Sequence, residues 1–207
     1  MIYNDSFVWL HFPKCVGTKI EHLFAKYFSD VKNLHQDPVD VKLDPAISWH
    51  DSIDQRIKRD KGFEPGDKTV ICSIRRLPSW LESRYNFEYK RAPHLAHDPE
   101  KLLKGKFLEN NGYENHADYY INQYLPKKLL ESGRVKFIRT ENFEEDFKQV
   151  FSKFIDISKV PDWEYDRYVN KSKSFLPDKV KEGLYKSDHI YEFCPDWKLV
   201  DGLVYNK

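Results

Sequence analysis

The 207-residue sequence is short of cysteine and glycine, has a single methionine and carries almost no net charge. Three cysteines, Cys15, Cys72 and Cys194, are too few and too far apart for a disulfide framework or a Cys-x-x-Cys metal knuckle. They are expected as reduced thiols in a cytosolic protein. Eight glycines and eleven prolines exclude a collagenous or low-complexity chain. With 34 Lys and Arg against 33 Asp and Glu, the formal charge is +1. No global positive field therefore directs the molecule to nucleic acid or to an anionic membrane. No stretch approaches the roughly 20 apolar residues that a bilayer crossing needs. The opening MIYNDSFVWLHF lacks the basic segment and long apolar run of a secretory leader. The expectation is a soluble, cytoplasmic protein with no nucleic-acid partner and no membrane span.

Aromatic and charged residues are what the chain does have. Fourteen Phe, 13 Tyr and 5 Trp supply enough apolar surface for a core, which excludes disorder. The length fits one domain, residues 1–207. Phe7 to Phe12 (FVWLHF), closed by Pro13, reads as a buried strand. After the loop KCVG, Ile20, Leu23, Phe24, Tyr27 and Phe28 form an apolar stripe that predicts an amphipathic helix over Thr18 to Asp30. Lys68 to Ile74 (KTVICSI) predicts a second buried strand, leading through Arg75 to Pro78 into a helix from about Ser79 to Lys90. Arg134 to Arg139 (RVKFIR) predicts a third strand, followed by a helix over Asn142 to Phe154. Strands alternating with helices predict an α/β fold, a central mostly parallel sheet flanked by helices. Arg91 to Lys128 is polar and aromatic, with short helical pieces and no strand. Such a segment is expected over the carboxyl edge of the sheet, where ligands bind.

Strand, then Pro13-Lys14-Cys15-Val16-Gly17-Thr18-Lys19, then helix, is a P-loop-like arrangement suited to an anion. The helix start offers backbone N–H groups, and the macrodipole favours negative charge there. Lys14 adds a point charge, Gly17 permits close approach and Thr18 supplies a hydroxyl. A Walker A loop requires Gly-x-x-x-x-Gly-Lys-Ser/Thr, whereas here the lysine precedes the glycine by three residues. That order speaks against an ATPase or kinase.

HFPKCVGTKIEHLF, His11 to Phe24, resembles the 5′-phosphosulfate-binding loop of sulfotransferases, His-x-Pro-Lys-x-Gly-Gly-Thr. The match covers His11, Pro13, Lys14, Gly17 and Thr18, with Val16 where the first glycine of the pair is usual. ICSIRRLPSWLESRY is similar to the family's 3′-phosphate segment, in which an arginine at a strand end is followed eight residues later by a serine. That spacing selects Arg75 and Ser83; the Arg-x-Pro pattern selects Arg76 with Pro78, and Arg76 could share the role. A dianionic phosphate suits a guanidinium fork with a hydroxyl at a helix start. RVKFIRTENFEEDF, from Arg134, is similar to the strand and acidic helix of many members. VNKSKSFLPDKVKEGLYKSDHIYEF, from Val169, is similar to the Asn-Lys-Ser segment and closing helix of carbohydrate-type members.

The resemblance implies transfer of a sulfuryl group from 3′-phosphoadenosine 5′-phosphosulfate to a hydroxyl acceptor, carbohydrates included, leaving adenosine 3′,5′-bisphosphate and needing no metal. It implies a donor-binding core over about 5–90 and 133–155, an acceptor segment over about 91–128 and a closing segment over about 165–207. Lys14 would steady the bridging oxygen, and the loop from Lys14 through Cys15, Val16, Gly17, Thr18 and Lys19 would bind the donor, with N–H groups of Gly17 to Ile20 around its 5′-phosphate. The general base is expected to be His50, 25 residues before Arg75, since imidazole suits proton transfer near neutral pH. Asp51 could orient that ring or act as the base itself. The aromatic residues between Tyr85 and Tyr124 read as helix packing or as a stacking wall for adenine or a sugar. Two other functions stay open: a small-molecule kinase-like transferase, and a sulfotransferase-like fold that only binds.

Overall fold

The computed structural model describes residues 1–44, 46–166, 174–186 and 188–206. In chain order the elements are β1 (Ile2–Tyr3), β2 (Phe7–Leu10), α1 (Gly17–Tyr27), β3 (His35–Gln36), α2 (Ile53–Arg59), β4 (Thr69–Ile74) and α3 (Leu77–Arg91). They continue with β5 (Lys106–Leu108), β6 (Glu114–His116), α4 (Ala117–Tyr124), α5 (Lys127–Glu131), β7 (Val135–Arg139) and α6 (Phe143–Phe151). The last are α7 (Asp162–Asp166), α8 (Asp178–Lys186), α9 (Ile190–Phe193) and α10 (Pro195–Tyr205). The fold is α/β. The chain divides into two compact units, Met1–Ile74 with Lys127–Val169 and Arg75–Pro126 with Asn170–Lys207.

The first unit holds a five-stranded sheet in the order β3-β1-β2-β4-β7. β2 pairs with β4, and β4 with β7, in parallel, while β1 runs antiparallel to both β2 and β3. The sheet is therefore mixed rather than mostly parallel. Its antiparallel edge is built from two strands of two residues each, too short to leave a period in the sequence. All four residues of β2 are buried, as are Val70 to Ile74 of β4. A strand covered on both faces reads as a continuous apolar run, which is why FVWL and TVICSI were legible. Trp9 keeps its indole satisfied inside this core by donating from Nε1 to Ser73 Oγ at 3.1 Å.

α1 and α6 cover one face of that sheet. Phe24 of α1 is fully buried, with its ring 5.1 Å from Phe151 of α6 and 6.1 Å from Phe7 of β2. α1 starts one residue before the expected Thr18 and closes at Tyr27, where the Phe28 N–H donates to Phe24 O at 3.0 Å. α7 is strapped to α1 by Glu164, whose carboxylate receives Lys26 Nζ at 2.8 Å and Tyr27 OH at 2.7 Å.

In the second unit, α3 begins at Leu77 with Pro78 in its first turn, where a missing N–H costs nothing. The polar segment 91–128 was expected to hold no strand, yet β5 and β6 pair antiparallel within it. Three residues per strand, most of them polar, give no alternation long enough to read. Arg84 anchors this hairpin to α3, donating from Nη2 to Glu109 Oε1 at 3.1 Å and pairing with Glu88 at 2.8 Å. The segment's aromatic residues divide: Phe107 packs against Trp80 at 5.6 Å, whereas Tyr113 and Tyr119 are exposed. α10 is capped by Asp118, which accepts the N–H groups of Asp196 and Trp197 at 3.0 and 2.9 Å. The Asn170-Lys171-Ser172 match lies outside the described residues.

Phe24→Ala removes the ring that joins α1 to α6 and the sheet. It should cost about 3–5 kcal/mol in urea unfolding, with the denaturant slope unchanged.

Candidate functional site

β2 delivers the chain into the loop His11 to Val16, and α1 receives it at Gly17. Two residues of that loop take the left-handed conformation, Lys14 at φ 65° and Val16 at φ 53°. Left-handed residues in short loops turn backbone N–H groups into anion-binding concavities. They cost about 1–2 kcal/mol without glycine, and a β-branched residue there is uncommon. Val16 offsets part of that strain by packing its side chain on the core under α1. This is the position where the resemblance places a glycine, and Val16 has the positive φ that glycine adopts without strain.

The N–H groups of Lys19 and Ile20 donate to Val16 O at 3.0 and 3.2 Å. They are spent on the first turn, which narrows the expected cradle of Gly17 to Ile20. The N–H groups of Gly17 and Thr18 have no acceptor among the described residues. Lys14 is half-buried and the Thr18 side chain is exposed. Cys15 is fully buried and in no disulfide. The Lys19 ammonium donates to the Tyr165 carbonyl and lies 4.5 Å from the centre of the Phe143 ring. The side chains of Cys15 and Lys19, both in the expected donor loop, thus lie in the protein interior.

Behind the loop lies a buried cluster of two imidazoles and a carboxylate. His11 is 6 % exposed and Glu21, on α1, is 5 % exposed. His11 Nδ1 sits 2.6 Å from Glu21 Oε1. The His11 ring lies over Gly17, where an added Cβ would fall 1.7 Å from Nε2. Gly17 is thus required by the histidine packed on it. His50 stands in the short turn Ser48–His50, its Nδ1–H donating to the His11 carbonyl at 3.0 Å. The two imidazole centres are 4.2 Å apart. The turn itself is pinned by Asp44, which accepts the Ser48 N–H at 2.6 Å, and by Arg56, which donates to Ser48 O at 2.9 Å.

Burial is the first cause of the electrostatics here. It pushes both histidines well below their ordinary range, helped by the Lys14 charge at His11 and by His11 at His50. Burial also lifts the Glu21 carboxyl, against the attraction of the Met1 ammonium. Neutral His50 with Nδ1 donating keeps its lone pair on Nε2, the arrangement a general base needs. Asp51 does not share in this. Its two oxygens accept from Arg59 Nε and Nη2, at 2.9 and 3.0 Å, so the carboxylate expected beside His50 is engaged with a guanidinium. The residue that sequence reasoning missed is Glu21. It falls between apolar positions of α1 and reads as part of the helix's solvent face.

The second unit carries Arg75, Arg76 and Ser83. Arg76 is exposed, with its guanidinium carbon 4.2 Å from the centre of the Tyr205 ring. Arg75 is half-buried, and its Nε is buried with no hydrogen-bond partner among the described residues. An orphaned guanidinium nitrogen is costly. Ser83 lies half-buried on α3. The start of α3 is already served by a carboxylate: Leu77 N–H donates to Asp201 Oδ2 at 3.2 Å. No family model matches the chain, and no curated protein or solved structure matches it.

Gly17→Ala drives a methyl into the His11 ring. It should cost about 1–3 kcal/mol in urea unfolding and displace His11 from Glu21, seen as a changed His11 side-chain resonance.

Proposed function

We propose that the chain is a sulfotransferase that moves the sulfuryl group of 3′-phosphoadenosine 5′-phosphosulfate to an acceptor hydroxyl. The observation that carries this reading is the loop: Lys14 and Val16 both left-handed, followed by the Gly17 and Thr18 N–H groups at the start of α1. A highly anionic nucleotide needs such a charge-and-dipole end without a global positive field. Lys14 neutralises charge on the bridging oxygen as the sulfur–oxygen bond breaks. His50, neutral and with Nδ1 engaged, takes the acceptor proton at Nε2. The motif resemblance assigns the donor's 3′-phosphate to Arg75 and Ser83, and the buried Nε of Arg75, which has no hydrogen-bond partner among the described residues, supports that role. The acceptor class is a hydroxyl compound, with carbohydrates first to be tried because of the carbohydrate-type echo in the C-terminal sequence.

Adenosine 3′,5′-bisphosphate at 100 times its Kd should stabilise the chain by about 2.7 kcal/mol, a rise in Tm of roughly 5–10 °C. Lys14→Ala or Arg75→Ala should abolish that rise. His50→Ala should keep it while losing transfer of labelled sulfate to the acceptor. No thermal stabilisation of the unaltered chain at millimolar bisphosphate overturns the reading.

A further inference from the structure

The Glu21 carboxylate is out of place for a residue on a surface helix. It is 5 % exposed, one oxygen is set against His11 Nδ1 at 2.6 Å, and Oε2 is buried with no partner among the described residues. A buried carboxylate with an unsatisfied oxygen costs free energy that a glutamine or an apolar residue would spare. Its surroundings are also arranged. From β2's end comes His11, from the Ser48–His50 turn comes His50, from the start of β1 comes the Met1 ammonium, and from beyond β3 comes Asp37. Asp37 is itself neutralised by Arg56 and by the Met1 ammonium at 2.9 Å. Lys14 adds its charge at His11. The carboxylate therefore stands behind a relay of two imidazoles whose far member is the candidate base.

Building on the sulfotransferase reading, we infer that Glu21 is a positioning residue for the proton step: it holds His11 by Nδ1, His11 holds His50 through its carbonyl, and the buried negative charge stabilises the imidazolium that His50 becomes. In that step the acceptor O–H bond breaks and its proton goes to His50 Nε2. The oxygen's electron pair forms the new O–S bond, and the old S–O bond breaks with its pair leaving on the 5′-phosphate of adenosine 3′,5′-bisphosphate. The proton then passes from His50 to solvent. Attraction from Glu21 acts to raise the basicity of His50 against the burial that lowers it. Burial lifts Glu21 itself to about 7. The relay is charged for its task only above that pH, so kcat should rise through about pH 7 and level off beyond it.

The test compares the unaltered chain with Glu21→Gln and Glu21→Asp in two measurements. The first is kcat and KM for the donor across pH 6 to 9. Glu21→Gln should lower kcat about tenfold or more above pH 8, as expected when one unit of base strength is lost. It should leave the donor KM within about twofold and remove the rise near pH 7, whereas Glu21→Asp should retain part of the kcat and the rise. The second measurement needs no substrate: nitrogen resonances of the His11 and His50 side chains, followed by NMR across the same range. They should step together near pH 7 in the unaltered chain and show no step in Glu21→Gln. A folded Glu21→Gln chain with unaltered kcat and pH profile overturns the inference, as does an unaltered chain without the histidine step. A chain that shows the step yet neither binds bisphosphate nor transfers sulfate overturns the donor reading and the catalytic role, leaving the carboxylate–histidine coupling in place.

Discussion

A buried imidazole set 2.6 Å from a buried carboxylate, His11 against Glu21, is the contact from which the site is organised. Each partner belongs to a different part of the strand–loop–helix unit, His11 just beyond β2 and Glu21 inside α1. The pair therefore fixes how far the loop between them can open. It demands glycine at position 17, because the imidazole occupies the space where a Cβ would stand. With Gly17 fixed at the start of α1, the chain must turn within Lys14 to Val16, and it does so with two left-handed residues. Glycine would make that turn without strain; Val16 makes it by burying its side chain on the core instead.

The same pair reaches outward to His50. A carbonyl on His11 receives the His50 Nδ1–H, and the turn that carries His50 is held from its other side by Asp44 and Arg56. Burial is the first cause that keeps both imidazoles neutral, with nearby positive charge acting in the same direction. In the proposed function, anion binding and proton transfer would draw on one buried cluster: backbone N–H groups in front, imidazoles and a carboxylate behind. The nearly balanced composition of 34 cations and 33 anions says nothing of this arrangement, which depends on where a handful of them are placed.

The strands buried on both faces, β2 and β4, were legible because they leave unbroken apolar runs, and α1 because its apolar stripe repeats at helical spacing. The antiparallel edge and the β5–β6 hairpin were not, since strands of two or three residues leave no period, and those of the hairpin are mostly polar. At the site, the spacing from Arg75 singles out His50 as the expected base, with Asp51 beside it as orienter or alternative; adjacency in sequence does not show that both Asp51 oxygens accept from Arg59. Lys19 looked like a loop cation and is a core contact to Tyr165. Glu21 was invisible for the converse reason. A glutamate between apolar positions of a helix is ordinarily solvated, and only the tertiary fold brings an imidazole over it. Asp201, serving the first turn of α3 from 124 residues away, had no local signature at all.

The proposed function places the donor's 5′-phosphate at the start of α1. Backbone amide spectra recorded during a titration with adenosine 3′,5′-bisphosphate test it most directly. The account predicts that the Gly17 and Thr18 amide resonances move furthest and saturate on one binding curve that Lys14→Ala abolishes. Resonances of Gly17 and Thr18 that stay fixed at saturating bisphosphate would contradict it.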